Sequence, residues 1–139
     1  MEQGGETLID HQNAYALMVQ DVKRCAEFYR EKVGLEQKEL SDNFAYFTFP
    51  KGKGPGVALV TQQGIGEEIS TALVRPGTKM APRGYFAVFV EDADKLYAEL
   101  KAKGVGFVKD PTTRPDGQRY AFFEDPEGNL WEISHFPKG

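Results

Sequence analysis

One carboxylate stands out by its surroundings. Glu132 lies in the segment LWEISHF (130–136), between Trp131 and Ile133, in a run that reads as a strand. A charged carboxylate among apolar side chains is unfavourable by several kcal/mol unless it is paired, hydrogen-bonded or bound to a ligand. The sequence therefore marks Glu132 as the candidate group for catalysis, metal binding or ligand binding.

A structural role for Glu132 is an equally open alternative. The guanidinium groups of Arg83 and Arg119 and the hydroxyl of Tyr85 are candidates to neutralise or hydrogen-bond it. Buried carboxylates are retained for such pairs as well as for function, so the residue type alone does not separate the two roles.

The remaining reactive side chains give weaker signals. Cys25 falls on the apolar stripe of a predicted helix and is expected to be a packed thiol, not a nucleophile. His135 follows Glu132 by three positions and should point to the opposite strand face, toward the sheet surface or an interface. His11 is expected to be flexible, and the acidic segment GEEIS (66–70) to be a solvated loop.

Composition limits the class of protein. The chain has 139 residues, of which 40% are hydrophobic and 27% charged, as expected for one globular domain over 1–139. Its net charge of −4 argues against a nucleic-acid partner. A single cysteine excludes an intramolecular disulfide and favours the cytoplasm, and no apolar run is long enough to span a membrane.

An internal repeat positions these residues. AYALMVQDVKRCAEFYREKVG (14–34) and YFAVFVEDADKLYAELKAKG (85–104) each read as an alternating strand, an aspartate and a helix that ends at glycine. The aspartates that can cap the two helices, Asp21 and Asp92, are 71 residues apart. The matching offset predicts two copies of one structural unit.

The rest of each unit reads as short strands. Module one covers about 13–62, a connector without sustained periodicity about 63–83, and module two about 84–136. The pattern predicts an α+β fold of two tandem β-α-β-β-β modules, whose curved mixed sheets surround a cleft. The strands expected after the helices are 45–50 and 56–62 in the first module and 105–110, 118–124 and 129–136 in the second.

Three segments resemble one known superfamily. VQDVKRCAEFYREKVGL (19–35), VFVEDADKLYAELKAKGV (88–105) and FFEDPEGNLWEI (122–133) are similar to the vicinal oxygen chelate proteins. That superfamily includes glyoxalase I, extradiol dioxygenases, fosfomycin-resistance enzymes and bleomycin-resistance proteins. The resemblance covers nearly the whole chain, but this fold hosts many reactions.

The resemblance also implies where a metal would bind. Metal-using members take one ligand from the first strand of each half, seven residues before the capping aspartate, and one from the last strand. These positions are expected to be Ala14, Leu59, Tyr85 and Glu132. Alanine and leucine have no donor atom, and a tyrosine would have to lose a proton of pKa about 10. We therefore expect no cofactor, with Zn, Ni, Mn or Fe bound through Glu132 at an atypical site as the alternative.

Strand alternation predicts which side chains line the cleft. The predicted cleft residues are Met18, Tyr85, Phe89, Glu132 and Ser134. Aromatic side chains with a single acid suit an aromatic or cationic small molecule. Glu132 would then orient the donor or the cation of that ligand.

Three functions remain open. The first is a glyoxalase/bleomycin-resistance-like protein that binds a small molecule without a metal, as a homodimer that completes the cleft, which relatives of this length imply. The second is a metal-dependent glyoxalase-like lyase or isomerase, or a dioxygenase, in which Glu132 is a ligand or base. The third is a non-catalytic interaction module with an obstructed cleft.

Overall fold

Two four-stranded mixed sheets form the framework of the computed structural model, which describes residues 8, 12–52 and 54–138. The first sheet contains β1 (Ala14–Val19), β2 (Glu36–Leu40), β3 (Phe44–Thr48) and β4 (Gly56–Thr61), in the spatial order β1-β4-β3-β2. The second contains β5 (Tyr85–Phe89), β6 (Phe107–Thr113), β7 (Arg119–Glu124) and β8 (Leu130–His135), in the order β5-β8-β7-β6. In each sheet the first strand is parallel to the last and the other pairs are antiparallel. The predicted α+β fold of two similar halves is confirmed.

Three helices accompany the sheets in the described part of the chain. They are α1 (Val22–Glu27), which continues as a π-helix over Phe28–Val33, α2 (Gln62–Glu68) and α3 (Ala93–Ala102). None of the helices within the described ranges is long and apolar enough to cross a membrane.

The predicted helix ends are confirmed. The carboxylate of Asp21 accepts a hydrogen bond from the Arg24 amide at 3.0 Å, and that of Asp92 accepts one from the Lys95 amide at 3.1 Å. Each bond satisfies an amide that the first helical turn leaves without a partner. The glycines that follow the first and third helices, at 34 and 104, both have a positive φ, near +88° and +85°.

Two elements differ from the sequence prediction. The strand β2 (Glu36–Leu40) completes the predicted β-α-β-β-β module, but the sequence did not locate it, because it is an exposed edge strand of mostly polar residues without apolar alternation. The helix α2 lies in the segment predicted to be an irregular connector, and Glu67 and Glu68 belong to it, not to a solvated loop. Its two internal glycines hide the helix from a propensity argument.

The two sheets share one core. The side chains directed to it alternate along β1, β5 and β8, so Tyr15 of β1 stacks on Phe86 of β5, which stacks in turn on Trp131 of β8. The ring centroids are 5.4 Å and 4.5 Å apart. The first and second halves therefore pack through the faces that carry their helices. The opposite faces, with Met18 in the first sheet and Glu132 in the second, lie away from this core.

A buried hydrogen-bond network joins the halves. The Asp125 carboxylate accepts from the Tyr29 hydroxyl at 2.7 Å and, within its own turn, from the amides of Glu127 and Asn129 and the Asn129 side chain. The Tyr29 hydroxyl accepts from the Trp131 indole at 2.9 Å. Burial and the adjacent Asp125 charge raise the pKa of Tyr29 well above its ordinary value, so its phenol remains a donor.

The same turn caps a helix of the other half. The Glu127 carboxylate accepts hydrogen bonds from the backbone amides of Gln20 and Asp21 at 2.6 and 2.8 Å, just before α1. We expect Glu127→Ala to lower the free energy of unfolding by about 1 kcal/mol, because the helix loses a charged partner at its positive end. Denaturant unfolding of Glu67→Ala, an exposed position on α2, is the matched control. Equal midpoints for both variants would contradict the capping role.

Candidate functional site

Glu132 is buried and already paired. It lies on β8, where its register neighbours are Ala87 on β5 and Phe122 on β7, and only 5% of its surface is exposed. Its Oε2 accepts a hydrogen bond from Nη2 of Arg114 at 2.6 Å. A charge-assisted bond of this kind offsets the unfavourable burial of the carboxylate. This ion pair explains how Glu132 can lie among apolar side chains.

Arg114 is itself held from several sides. It lies in the turn between β6 and β7, where its Nη1 donates to Gln118 at 2.6 Å, and Gln118 donates to the Ser134 hydroxyl at 3.1 Å. The guanidinium carbon is 3.8 Å from the ring centroid of Tyr120, a cation–π contact. The hydrogen bond to Glu132 raises the pKa of Arg114 above its ordinary value. An arginine guanidinium is charged at any ordinary pH, and the contacts with Gln118, Glu132 and Tyr120 fix its orientation.

The arginine in this pair differs from the two candidates. Arg119 instead makes an ion pair with both carboxylate oxygens of Asp94, and the hydrogen bond from Arg119 is the main cause of the lowered pKa of Asp94. Because Arg119 is the register neighbour of His135, it lies on the opposite face of the sheet from Glu132. The prediction that an arginine neutralises Glu132 is correct, but the arginine is Arg114 and not Arg83 or Arg119.

Tyr85 and Arg83 do not take that role either. The Tyr85 ring packs edge-on against Phe122, with centroids 4.9 Å apart, and within the described residues its hydroxyl makes no hydrogen bond to Glu132. Arg83 is exposed in the segment before β5. Sequence reasoning missed Arg114, Gln118 and Tyr120, which lie in or beside the β6–β7 turn.

The register of the strands corrects one expected metal position. Glu132 pairs with Ala87 in the second sheet, and the repeat places Ala16 opposite Ala87. Ala16 pairs with Ala58, so Ala58 and not Leu59 is the counterpart of Glu132. Leu59 is one residue further along β4, so its side chain points to the other face of the sheet, where it is fully buried in the core.

The corrected positions do not fit a metal ion. Ala14 and Ala58 have no donor atom, Tyr85 carries a phenol, and the Glu132 carboxylate is bound to a cation of the protein itself. In the part of the chain that the structure describes, no three His, Cys, Asp or Glu side chains are grouped as metal ligands. No chemical step is therefore assigned to a metal here.

Four of the five predicted cleft residues share one face of the second sheet. We call this surface, formed by Tyr85, Phe89, Glu132 and Ser134 with Tyr120 and Phe122, the Glu132 face. Tyr85 is 50% exposed and Phe89 77% exposed, whereas Ser134 is buried. The fifth residue, Met18, belongs to the first sheet.

Two hollows of the described chain are lined by different members of this predicted set. A cavity of about 190 Å³ brings Met18 near Tyr85, and a groove of about 820 Å³ runs along β5 past Phe89. Neither is lined by Glu132 or Ser134. In the single chain the exposed part of the Glu132 face is formed by Tyr85 and Phe89, whereas Glu132 and Ser134 are buried.

Cys25 has the expected structural role. Its side chain is fully buried, and its Sγ is 3.6 Å from the Glu127 carboxylate. Burial first, and then the charges of Asp125 and Glu127, raise the pKa of the thiol. A protonated, buried thiol is unsuited to act as a nucleophile.

His135 has a role that the sequence did not indicate. Its Nδ1 accepts a hydrogen bond from the Ala93 amide at 2.9 Å, so it helps to cap α3 beside Asp92. His11 lies outside the described residues.

Comparison with known proteins identifies the family. The sequence profile of the Glyoxalase/Bleomycin resistance protein/Dioxygenase superfamily matches residues 9–133. The chain belongs to this superfamily. It is 30% identical over 118 residues to the uncharacterized protein YraH of Bacillus subtilis (strain 168), covering 84% of this chain and 91% of YraH.

Other members of the superfamily extend the likeness. The crystal structure of a glyoxalase/bleomycin resistance protein/dioxygenase from Nocardioides superposes with a TM-score of 0.74 at 26% identity, covering 99% of this chain and 88% of that one. Lactoylglutathione lyase GLX1 of Arabidopsis thaliana is 27% identical over 125 residues, 83% of this chain and 40% of that protein. The superfamily and the fold are thereby shown.

Proposed function

We propose that this superfamily member binds a small molecule on the Glu132 face and does so without a metal ion. The observation that carries the proposal is the 2.6 Å ion pair between Arg114 and Glu132. It gives Glu132, the acid at the expected metal position, a protein cation as its partner, and of the other three positions two are alanines and one is a tyrosine. Tyr85 and Phe89 supply exposed aromatic surface for a ligand.

The proposed assembly is a homodimer that closes the site. Among the described strands, β1 and β5 are at the outer edges of their sheets, and each has one edge without a neighbouring strand. Beside β5, Phe89 and Phe136 are 77% and 53% exposed, with ring centroids 6.4 Å apart. A second copy would cover these rings and place its first sheet opposite the Glu132 face.

A metal-dependent lyase is the second candidate. The similarity to a protein named lactoylglutathione lyase favours it. In that case Glu132 would have to exchange Arg114 for a metal ion, and two of the other positions would be filled by alanine. An interaction module is the third candidate, and a dimer without affinity for small molecules would support it.

Metal analysis separates the first two candidates. Untagged protein is measured for Zn, Ni, Mn and Fe before and after chelation and after reloading with each ion, alongside Glu132→Gln and Arg114→Gln. We expect substoichiometric metal in the wild type, because the acid at the expected metal position is paired with Arg114. Stoichiometric metal in the wild type that is lost in Glu132→Gln would refute the metal-free proposal and direct attention to lyase and dioxygenase assays.

A further inference from the structure

We propose that Arg114 binds the anionic group of the ligand, so that the Glu132 face selects aromatic anions such as aromatic carboxylates. This inference rests on the proposed binding function and specifies its ligand. It reverses the charge expected from the sequence, in which Glu132 was to orient a cation.

The carboxylate is poorly placed to meet a cationic ligand. Glu132 is 5% exposed and one of its oxygens is bound to Arg114. A ligand cation could meet only the second oxygen of this nearly buried carboxylate, beside a guanidinium that Gln118 and the Tyr120 ring also hold in place. The role of Glu132 is therefore to position Arg114, not to contact the ligand.

The guanidinium is better placed to meet an anion. A guanidinium has five N–H donors, of which Arg114 uses one on Nη2 for Glu132 and one on Nη1 for Gln118. The other three N–H groups, including the one on Nε, donate to no acceptor among the described residues. The Arg114 side chain is 31% exposed. It can therefore present donors to a carboxylate or another planar oxyanion without breaking either existing bond.

The surroundings add an aromatic preference. The Tyr120 ring lies under the guanidinium, and the Phe122 ring is packed edge-on against both Tyr120 and Tyr85. Tyr85 is half exposed beside them. An aromatic ring bonded to a carboxylate could pack on Tyr85 while its charge meets Arg114.

Three probes that share one ring test the charge preference. The dissociation constants of 2-naphthoate, 2-naphthamide and 2-naphthylmethylammonium are measured by ligand-observed NMR with the wild-type protein. We expect the anion to bind roughly tenfold or more tightly than either of the others, because a charge-assisted hydrogen bond is stronger than a neutral one. Glu132→Gln should keep this preference, since the guanidinium remains.

Two further variants locate the preference. Arg119 belongs to the same hairpin as Arg114, but it is paired with Asp94 on the other face of the sheet. The Arg119→Gln variant should therefore bind the anion as the wild type does. The double variant Arg114→Gln/Glu132→Gln removes both charges without leaving a buried carboxylate unpaired, and it should lose the preference. Equal loss in Arg119→Gln would overturn the assignment to Arg114.

The outcomes distinguish the inference from the proposed function. Equal affinity for all three probes would leave the binding site intact and overturn the anion preference. Tighter binding of the ammonium probe, lost in Glu132→Gln, would overturn it in favour of Glu132 as the ligand anchor. Absence of binding by every probe would refute both the inference and the binding function.

Discussion

Replacing Asp125 by alanine is expected to lower the free energy of unfolding by about 3 kcal/mol or more. Asp125 is 2% exposed, and its removal leaves the buried Tyr29 hydroxyl without its acceptor and the turn at Glu127 and Asn129 without its internal hydrogen bonds. The loss is large because it affects both the DPEGN turn and the contact between the two halves. The melting temperature should fall by roughly 10 °C.

Two variants define the origin of this loss. Tyr29→Phe removes only the bridging hydroxyl and should cost about 1–2 kcal/mol, less than the Asp125 variant. Asp116→Ala is the matched control, because that aspartate accepts an exposed hydrogen bond from the Gln118 amide in another turn. A melting temperature of Asp125→Ala equal to that of the control would show that the buried network contributes little.

Replacing Phe89 by glutamate is expected to raise the dissociation constant of the homodimer by about a hundredfold or more. The side chain is 77% exposed in the single chain, so the change should leave the fold of each chain nearly as stable as before. In the proposed dimer the same position is covered, and burying an unpaired carboxylate there is strongly unfavourable. Sedimentation velocity over a range of protein concentrations measures the shift.

The control for this variant is an exposed apolar residue at the far edge of the same sheet. Val108→Glu on β6 introduces the same charge at a side chain that is 54% exposed, but β6 is separated from β5 by two strands. It should leave the dissociation constant unchanged. A monomeric wild type, or equal weakening by both variants, would contradict the placement of the interface along β5.

Local patterns were reliable where neighbours in sequence make the interaction. The capping bonds of Asp21 and Asp92 join each carboxylate to an amide three residues later, and the glycines at 34 and 104 relieve a local steric conflict. By contrast, β2 carries no apolar alternation because both its faces are largely exposed. Periodicity reports burial, so it gives no signal for a strand that buries little.

The site was only partly predictable, because alternation holds along a regular strand and fails across a bulge. Alternation along β8 placed Glu132 and Ser134 on one face, as the register confirms. Counting along β6 toward Arg114 fails, because the register between β6 and β7 shifts twice, between Phe107 and Lys109 and between Lys109 and Thr112. A bulge inserts an unpaired residue and changes the direction of the side chains that follow.

The sequence by itself determined the repeated unit, the helix ends, the family and the lack of donor atoms at Ala14, because these depend on residue types and short spacings. Only the tertiary structure decided that Arg114 neutralises Glu132 and that the two halves pack through their helix-bearing faces. Both depend on contacts between residues distant in the chain, including a long side chain that reaches across a bulged hairpin. Such contacts are selected by the packing of whole sheets, which no local pattern specifies.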